Sequence, residues 1–209
     1  MKTKVLSIFE SKSLDFAREI LLNGNLVAFP TDTVYGLGAM AFNAKGVNRI
    51  YKVKGRAAEK AIPILIGNVA QLDQVAAKVG ASERILAHHF WPGPLTIILP
   101  RHTSIPDAVT SLPTVGVRIP NLASALELLN LTGPMAVSSA NLSGQTSCST
   151  AGGVLSQLDG KIPLILDGGV TPGGTPSTIV DCNSEKPVVI REGPISLAQI
   201  LQTLSQARS

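Results

Sequence analysis

Leu26-Val27-Ala28-Phe29-Pro30-Thr31-Asp32-Thr33-Val34-Tyr35-Gly36-Leu37-Gly38 is the stretch that decides the fold. Its apolar opening reads as a buried strand. Pro30 stops that strand, because proline has no N–H for a sheet ladder. Two threonine hydroxyls, a carboxylate and a phenol follow at once. Polar groups at a strand end sit where open α/β sheets bind ligands, and Gly36 and Gly38 are expected to let the backbone approach one closely. A strand-ending turn explains the same residues equally well.

Outward from this point, strands and helices alternate. An edge strand is expected over 5–9, a helix over 13–23 with Ser13 as cap and Gly24 after its end, and a helix over 44–52. Residues 62–66 read as a strand interrupted by Pro63, so near an edge or bulge. Further helices are predicted over 82–90, 122–131, 151–158 and 197–206. Strands are predicted over 95–99, 115–119, 135–137, 164–166, 177–180 and 188–191. Several strands follow one another without a helix, which argues for a mixed sheet in an α/β (α+β type) fold. Residues 168–176, rich in Gly, Thr and Pro, are too short for a linker and read as a binding loop.

Composition sets the bounds. The chain has 209 residues, 44% hydrophobic and 15% charged, so one domain with a real core is expected, with or without a short appendage. Aromatics are only 4%, so aliphatic side chains carry that core. A net charge of +4 suits an anionic ligand, a nucleotide or RNA without demanding one. Cys148 and Cys182 lack metal spacing and read as reduced thiols of a cytoplasmic protein. No stretch has transmembrane length, so no membrane association is expected.

The chemistry-bearing residues fall in four groups. Lys54 and Arg56 straddle Gly55, and in extended backbone both would point at one anion; a solvated basic helix end is the alternative. Ser138-Ser139-Ala140-Asn141-Leu142-Ser143-Gly144 places small donors after a strand, suited to phosphate or ribose oxygens or to a helix-capping turn. Arg118 lies within the apolar strand 115–119, where a charge is costly unless a carboxylate or an anionic ligand meets it. Arg191 poses the same question, with Glu192 facing away in a regular strand. Walker A, G-x-G-x-x-G and G-x-S-x-G signatures are absent, and His88, His89 and His102 have no metal spacing.

Taken in order, these segments resemble the YrdC/TsaC family of L-threonylcarbamoyladenylate synthases. The resemblance rests on 30–38, on Lys54-Gly55-Arg56 as a K-x-R motif and on Ser139-Ala140-Asn141 as S-x-N. It continues through Val117-Arg118-Ile119-Pro120, Asp167-Gly168-Gly169, 177–181 and Arg191-Glu192-Gly193. It covers about 13–195 within a single YrdC-like domain expected over 1–209, the short form without a further C-terminal domain. Ala57 and Ala61 depart from two prolines common in the family.

The resemblance implies a mixed parallel/antiparallel sheet flanked by helices, with a concave basic cleft. It implies formation of threonylcarbamoyl-AMP and pyrophosphate from L-threonine, bicarbonate and ATP, a nucleotidyl transfer that serves threonylcarbamoyladenosine modification of tRNA. By the same resemblance Lys54, Arg56, Ser139 and Asn141 are catalytic, and these four with Thr114 and Arg191 bind ATP. Thr31, Arg118 and Ser177 bind L-threonine. Magnesium comes with ATP and no tightly bound metal or cofactor is expected. A transferase acting on tRNA is the implied partner, with weak RNA binding possible. A non-catalytic RNA-binding module and a YciO-like paralogue are the alternatives.

Overall fold

The computed structural model of the chain describes residues 2–184 and 186–207. Met1, Glu185, Arg208 and Ser209, which the single-domain expectation includes, lie outside the described residues. The first half runs β1 (Lys4–Ser7), α1 (Ser11–Leu22), β2 (Val27–Phe29), β3 (Gly36–Met40), α2 (Ala44–Lys54) and β4 (Ile64–Leu65), then a 3-10 turn at Val69–Gln74 and α3 (Ala81–Phe90). The second half runs β5 (Leu95–Pro100), β6 (Thr114–Arg118), α4 (Ala123–Thr132), β7 (Met135–Ser139), α5 (Ala151–Leu158), β8 (Leu164–Asp167), β9 (Thr178–Asp181), β10 (Val188–Arg191) and α6 (Leu197–Gln206).

Among the described residues the strands form one ten-stranded sheet in the order β1-β8-β2-β3-β7-β4-β6-β5-β9-β10. The pairs β1–β8, β2–β8, β4–β6 and β5–β9 are parallel. The remaining neighbours are antiparallel, so the sheet is mixed, as consecutive strands in the sequence require.

Alternation along the strands divides the core in two. Ala28, Leu37, Ile64, Ala136, Val115, Val117 and Ile97 face α2, α3, α5 and α6 across one cluster. Their neighbours Val27, Phe29, Leu65, Met135 and Val137 face α1 and α4 across a second. The second cluster takes no residue from β5, β6 or β9. Among the described residues no helix covers that half of the second face, and there the polar residues Thr96 and Arg118 stand.

Several local expectations are corrected. Helix α1 begins at Ser11 after Glu10, which makes no side-chain cap, and Ser13 is buried within it rather than capping it. Gly36 and Gly38 belong to β3, which the sequence reading missed. A Cβ on Gly36 would meet Val137 Cγ1 at 2.6 Å, and one on Gly38 would meet Phe29 Cε1 at 3.0 Å. These glycines chiefly make room for Phe29, Met135 and Val137, although Gly36 also touches the cleft described below.

Phe29 is fully buried where β2, β3 and β7 meet that second cluster. Phe29→Ala is expected to cost about 3–5 kcal/mol, because the cavity cannot collapse between paired strands. Urea unfolding followed by circular dichroism checks this, and a loss under 1 kcal/mol would contradict the packing.

Candidate functional site

The helix-free half of the second face forms a cleft of about 110 Å³. Pro63 and Leu65 line it from the β4 region, Thr96 from β5, Arg118 from β6, and Val137, Ser138 and Ser139 from β7. Thr31, Thr33, Val34 and Tyr35 enter from the turn after β2, Pro176 and Ser177 from the segment before β9, Arg56 from beyond α2, and Arg191 from β10. The site therefore spreads across a sheet face, where the sequence suggested a strand end.

Arg118 is only 4% exposed. Its Nε donates to the Gly93 carbonyl at 2.8 Å, one Nη to Thr33 Oγ1 at 3.1 Å, and the other Nη to Asp32 in a salt bridge. Of the two alternatives for this arginine, the carboxylate partner is the one observed, and the side chain also lines the cleft. Guanidinium only donates, so Thr33 Oγ1 accepts from it. Thr31 Oγ1 donates to the Val34 carbonyl at 2.7 Å, so the 2.9 Å bond between the two threonines runs from Thr33 to Thr31. The Thr31 hydroxyl also accepts from the backbone N–H of Thr33 and Val34. Turn chemistry and cleft lining are combined in one residue.

Arg191 donates through Nε and one Nη to the Ser177 carbonyl, at 3.0 and 2.7 Å, and to Ser177 Oγ at 3.0 Å. Ser177 Oγ lies 2.8 Å from Thr96 Oγ1. A Cβ on Gly193 would come within 2.3 Å of the Thr178 nitrogen, so only glycine lets this segment press backbone to backbone. Arg56 donates to the carbonyls of Lys60 and Ala61, at 3.2 and 3.0 Å, which ties the loop carrying Ala57 and Ala61 to the cleft.

Lys54 departs from the extended geometry assumed for K-x-R. It ends α2, and Gly55 caps that helix in the left-handed conformation at φ 61°. Lys54 and Arg56 therefore diverge. The Lys54 ammonium is buried and donates to the carbonyls of Ser139 and Asn141, while the Ser143 N–H donates to the Lys54 carbonyl at 2.8 Å. Asn141 Nδ2 donates to the carbonyls of Leu142 and Gln145, both at 2.8 Å, and its buried Oδ1 has no partner among the described residues. Of the S-x-N pair, Ser139 lines the cleft and Asn141 braces the loop behind it. Thr114 shares the Arg118 face by alternation, but four residues put it ~13 Å away, and it is not among the cleft-lining residues.

The loop 168–176 folds over the threonine turn, with the Gly174 N–H donating to the Thr33 carbonyl at 2.7 Å. The Tyr35 hydroxyl donates to the Gly169 carbonyl at 2.8 Å, and burial pushes its pKa up to about 12. Asp32 and Thr33 carry no individual role in the sequence reading beyond being polar groups of the stretch quoted first, and Thr96 is not singled out there. Asp32 was findable, because a buried arginine needs a carboxylate and Asp32 stands in the stretch quoted first.

The Sua5/YciO/YrdC family model, described as telomere recombination, matches residues 19–193. The chain belongs to the Sua5/YciO/YrdC family. It is 40% identical to a threonylcarbamoyl-AMP synthase of Pyrococcus abyssi over 95% of its length, and 41% identical to one of Bacillus subtilis over 88%. The crystal structure of P. abyssi Sua5 complexed with L-threonine superposes with a TM-score of 0.93 at 39% identity, covering 96% of this chain and 61% of that one. The chain spans 59% and 54% of the lengths of the two synthases.

Charge separates this Sua5/YciO/YrdC cleft into two parts. Arg118 has its carboxylate, whereas Lys54, Arg56 and Arg191 join no ion pair among the described residues. Burial lowers the pKa of Arg56 and Arg191, and Arg56 lowers Arg191 further. Burial and then Arg56 lower Lys54 from 10.5 to about 8, with Cys148 opposing. Below about pH 8 folding must bury this charge. Between about 8 and 10.5 the unfolded chain holds a proton that the folded one has released, so the lysine's contribution to stability rises with pH through that window. The unfolding free energy of the wild type relative to Lys54→Met should therefore increase from pH 8 to 10, by on the order of 1–3 kcal/mol. Urea titrations of both proteins at each pH measure it, and a flat difference would refute the burial argument.

Proposed function

We propose that the chain is an L-threonylcarbamoyladenylate synthase. One observation carries the reading: a paired arginine beside small hydroxyls shares a cleft with cations that have no carboxylate among the described residues. The first half suits an amino acid, and the L-threonine bound by the Pyrococcus relative supports that substrate. The second half suits a polyphosphate.

In this reading the L-threonine nitrogen takes up bicarbonate as a carbamate, with loss of water. The carbamate oxygen attacks the α-phosphate of ATP, the bond to the β-phosphate's bridging oxygen breaks, and pyrophosphate leaves. Arg118 holds the amino-acid carboxylate, with Thr31 and Ser177 beside it. Arg56 and Arg191 neutralise charge on the leaving pyrophosphate, where fixed cations act most strongly. Ser139, whose hydroxyl has no protein partner among the described residues, donates to phosphate or ribose. Lys54 and Asn141 keep the loop behind Ser139 in place, and Thr114 is left for the nucleoside end of ATP. Magnesium enters with ATP on its phosphates. The product is a labile mixed anhydride, so a transferase acting on tRNA consumes it.

Purified protein given ATP and bicarbonate is expected to release threonylcarbamoyl-AMP and pyrophosphate when L-threonine is added, and far less of the corresponding product with L-serine. Arg56→Ala should lower the rate roughly 10²-fold, the scale of one lost charge-stabilising donor. Coupled pyrophosphate detection reads both. A folded, ATP-binding protein without threonine-dependent release would overturn the proposal.

A further inference from the structure

We propose that Gln157, on a helix outside the cleft, is a positioning residue for the loop that follows Ser139, and that ATP affinity depends on it. The inference rests on the nucleotide reading of the cleft and extends it to a side chain that touches no substrate.

Residues 140–149 lie between β7 and α5, in neither helix nor strand. Their backbone groups therefore need other partners. The base of the loop is pinned to Tyr35: the Ala140 N–H donates to the Tyr35 carbonyl at 2.8 Å, and the Tyr35 N–H donates to the Cys148 carbonyl at 2.9 Å. Helix α2 holds one flank. The Lys54 ammonium donates to the Ser139 and Asn141 carbonyls, and the Lys54 carbonyl accepts from the Ser143 N–H.

Gln157 holds the other flank. Its Oε1 accepts from the Leu142 N–H at 2.9 Å. Its Nε2 donates to the Thr146 carbonyl and to Cys148 Sγ, each at 3.3 Å. An N–H only donates and a carbonyl only accepts, so the carboxamide fits in one orientation. One planar group thus fixes residues 142, 146 and 148 together. It stands on a firm base, since Ala151, Val154 and Leu158 seat α5 in the first core cluster. Among the described residues no other side chain of α5 bonds the loop. Without Gln157 the loop keeps Lys54 and its internal Asn141 bonds, but it loses its support from the α5 side. Ser139, which lines the cleft where the loop begins, then loses its fixed placement. Among the described residues the Arg118 cluster takes no bond from Gln157, so the amino-acid half of the cleft is held independently.

Calorimetric titration of the whole chain gives an affinity and a stoichiometry for magnesium ATP and for L-threonine. Gln157→Met removes both ends of the carboxamide at similar volume and keeps a good helix former. It should weaken ATP roughly tenfold, the effect of losing one or two hydrogen bonds, and leave L-threonine within about twofold. Gln157→Glu keeps the acceptor for Leu142 but sets an oxygen against the Thr146 carbonyl, so it should weaken ATP as well. A merely structural role would lower the stoichiometry for both ligands without changing either affinity. That result, or an equal loss of affinity for both, would overturn the proposal. In the wild type, the Leu142 amide should be protected from hydrogen exchange followed by NMR, and free exchange there would overturn the clamp without any variant. Wild type that binds no ATP would overturn the nucleotide reading and this inference with it. Unchanged ATP affinity in Gln157→Met would overturn this inference alone.

Discussion

A buried guanidinium organises this structure. Arg118 sits in a central strand with almost no solvent, where an unpaired charge costs several kcal/mol. Its donors gather three separate segments: the turn after β2 through Asp32 and Thr33, the turn before β5 through Gly93, and β6 itself. The Gly93 N–H returns a bond to the Ile119 carbonyl at 2.9 Å, which locks that turn onto the end of β6. Thr33 then passes the constraint to Thr31 and Val34 through a directed chain of hydroxyls. Truncating one partner of such a pair costs about 3–5 kcal/mol, mostly through the charge left behind. The energetic demand of one residue thus fixes the shape of the cleft.

The cleft exists because the two faces of the sheet are unequally covered. Helices α2, α3, α5 and α6 cover one face, while α1 and α4 pack over only part of the other. Alternation does the sorting. In β6, Val115 and Val117 enter the core, and Gly116 and Arg118 turn to the uncovered side. Gly116 is needed there, since a Cβ would press on Thr96 Cγ2 at 3.0 Å and on Pro63 Cβ at 3.4 Å. A side chain at that position would push on the wall of the cleft beside Arg118.

What the sequence disclosed follows the same physics. Helix α6 is read with its observed ends, because Ser196 forms a capping box with Gln199 and the apolar period is regular. Strand β3 is invisible because Gly36 and Gly38 look like breakers, and the side chains they accommodate belong to β2 and β7. The K-x-R segment is misread as extended because helix α2 runs two residues beyond its predicted end and stops on a left-handed glycine. The identity of the cleft cations was legible. Which of them are paired was not, since pairing depends on contacts between residues such as Asp32 and Arg118, 86 positions apart.

That pairing pattern is where structure adds most to sequence. Four cations lie in or against one cleft, and three have no carboxylate among the described residues. Burial does most to lower the pKa of Arg118, Arg191 and Lys54; beyond it Asp32 raises Arg118 while Arg191 lowers it, and Arg56 lowers both Arg191 and Lys54, so the cations repel one another. Backbone carbonyls satisfy their hydrogen bonds: Ser177 for Arg191, Lys60 and Ala61 for Arg56, Ser139 and Asn141 for Lys54. A carbonyl dipole satisfies geometry without cancelling charge. The folded chain therefore holds these side chains in fixed positions while leaving their field intact. A ligand carrying several negative charges meets donors already oriented, in surroundings that screen poorly. Arg118, neutralised by Asp32, lends little to that field and can read shape and charge pattern at close range. Under the proposed function, pairing one cation and leaving the others without a carboxylate lets an amino acid and a polyphosphate occupy the cleft without competing for the same charge.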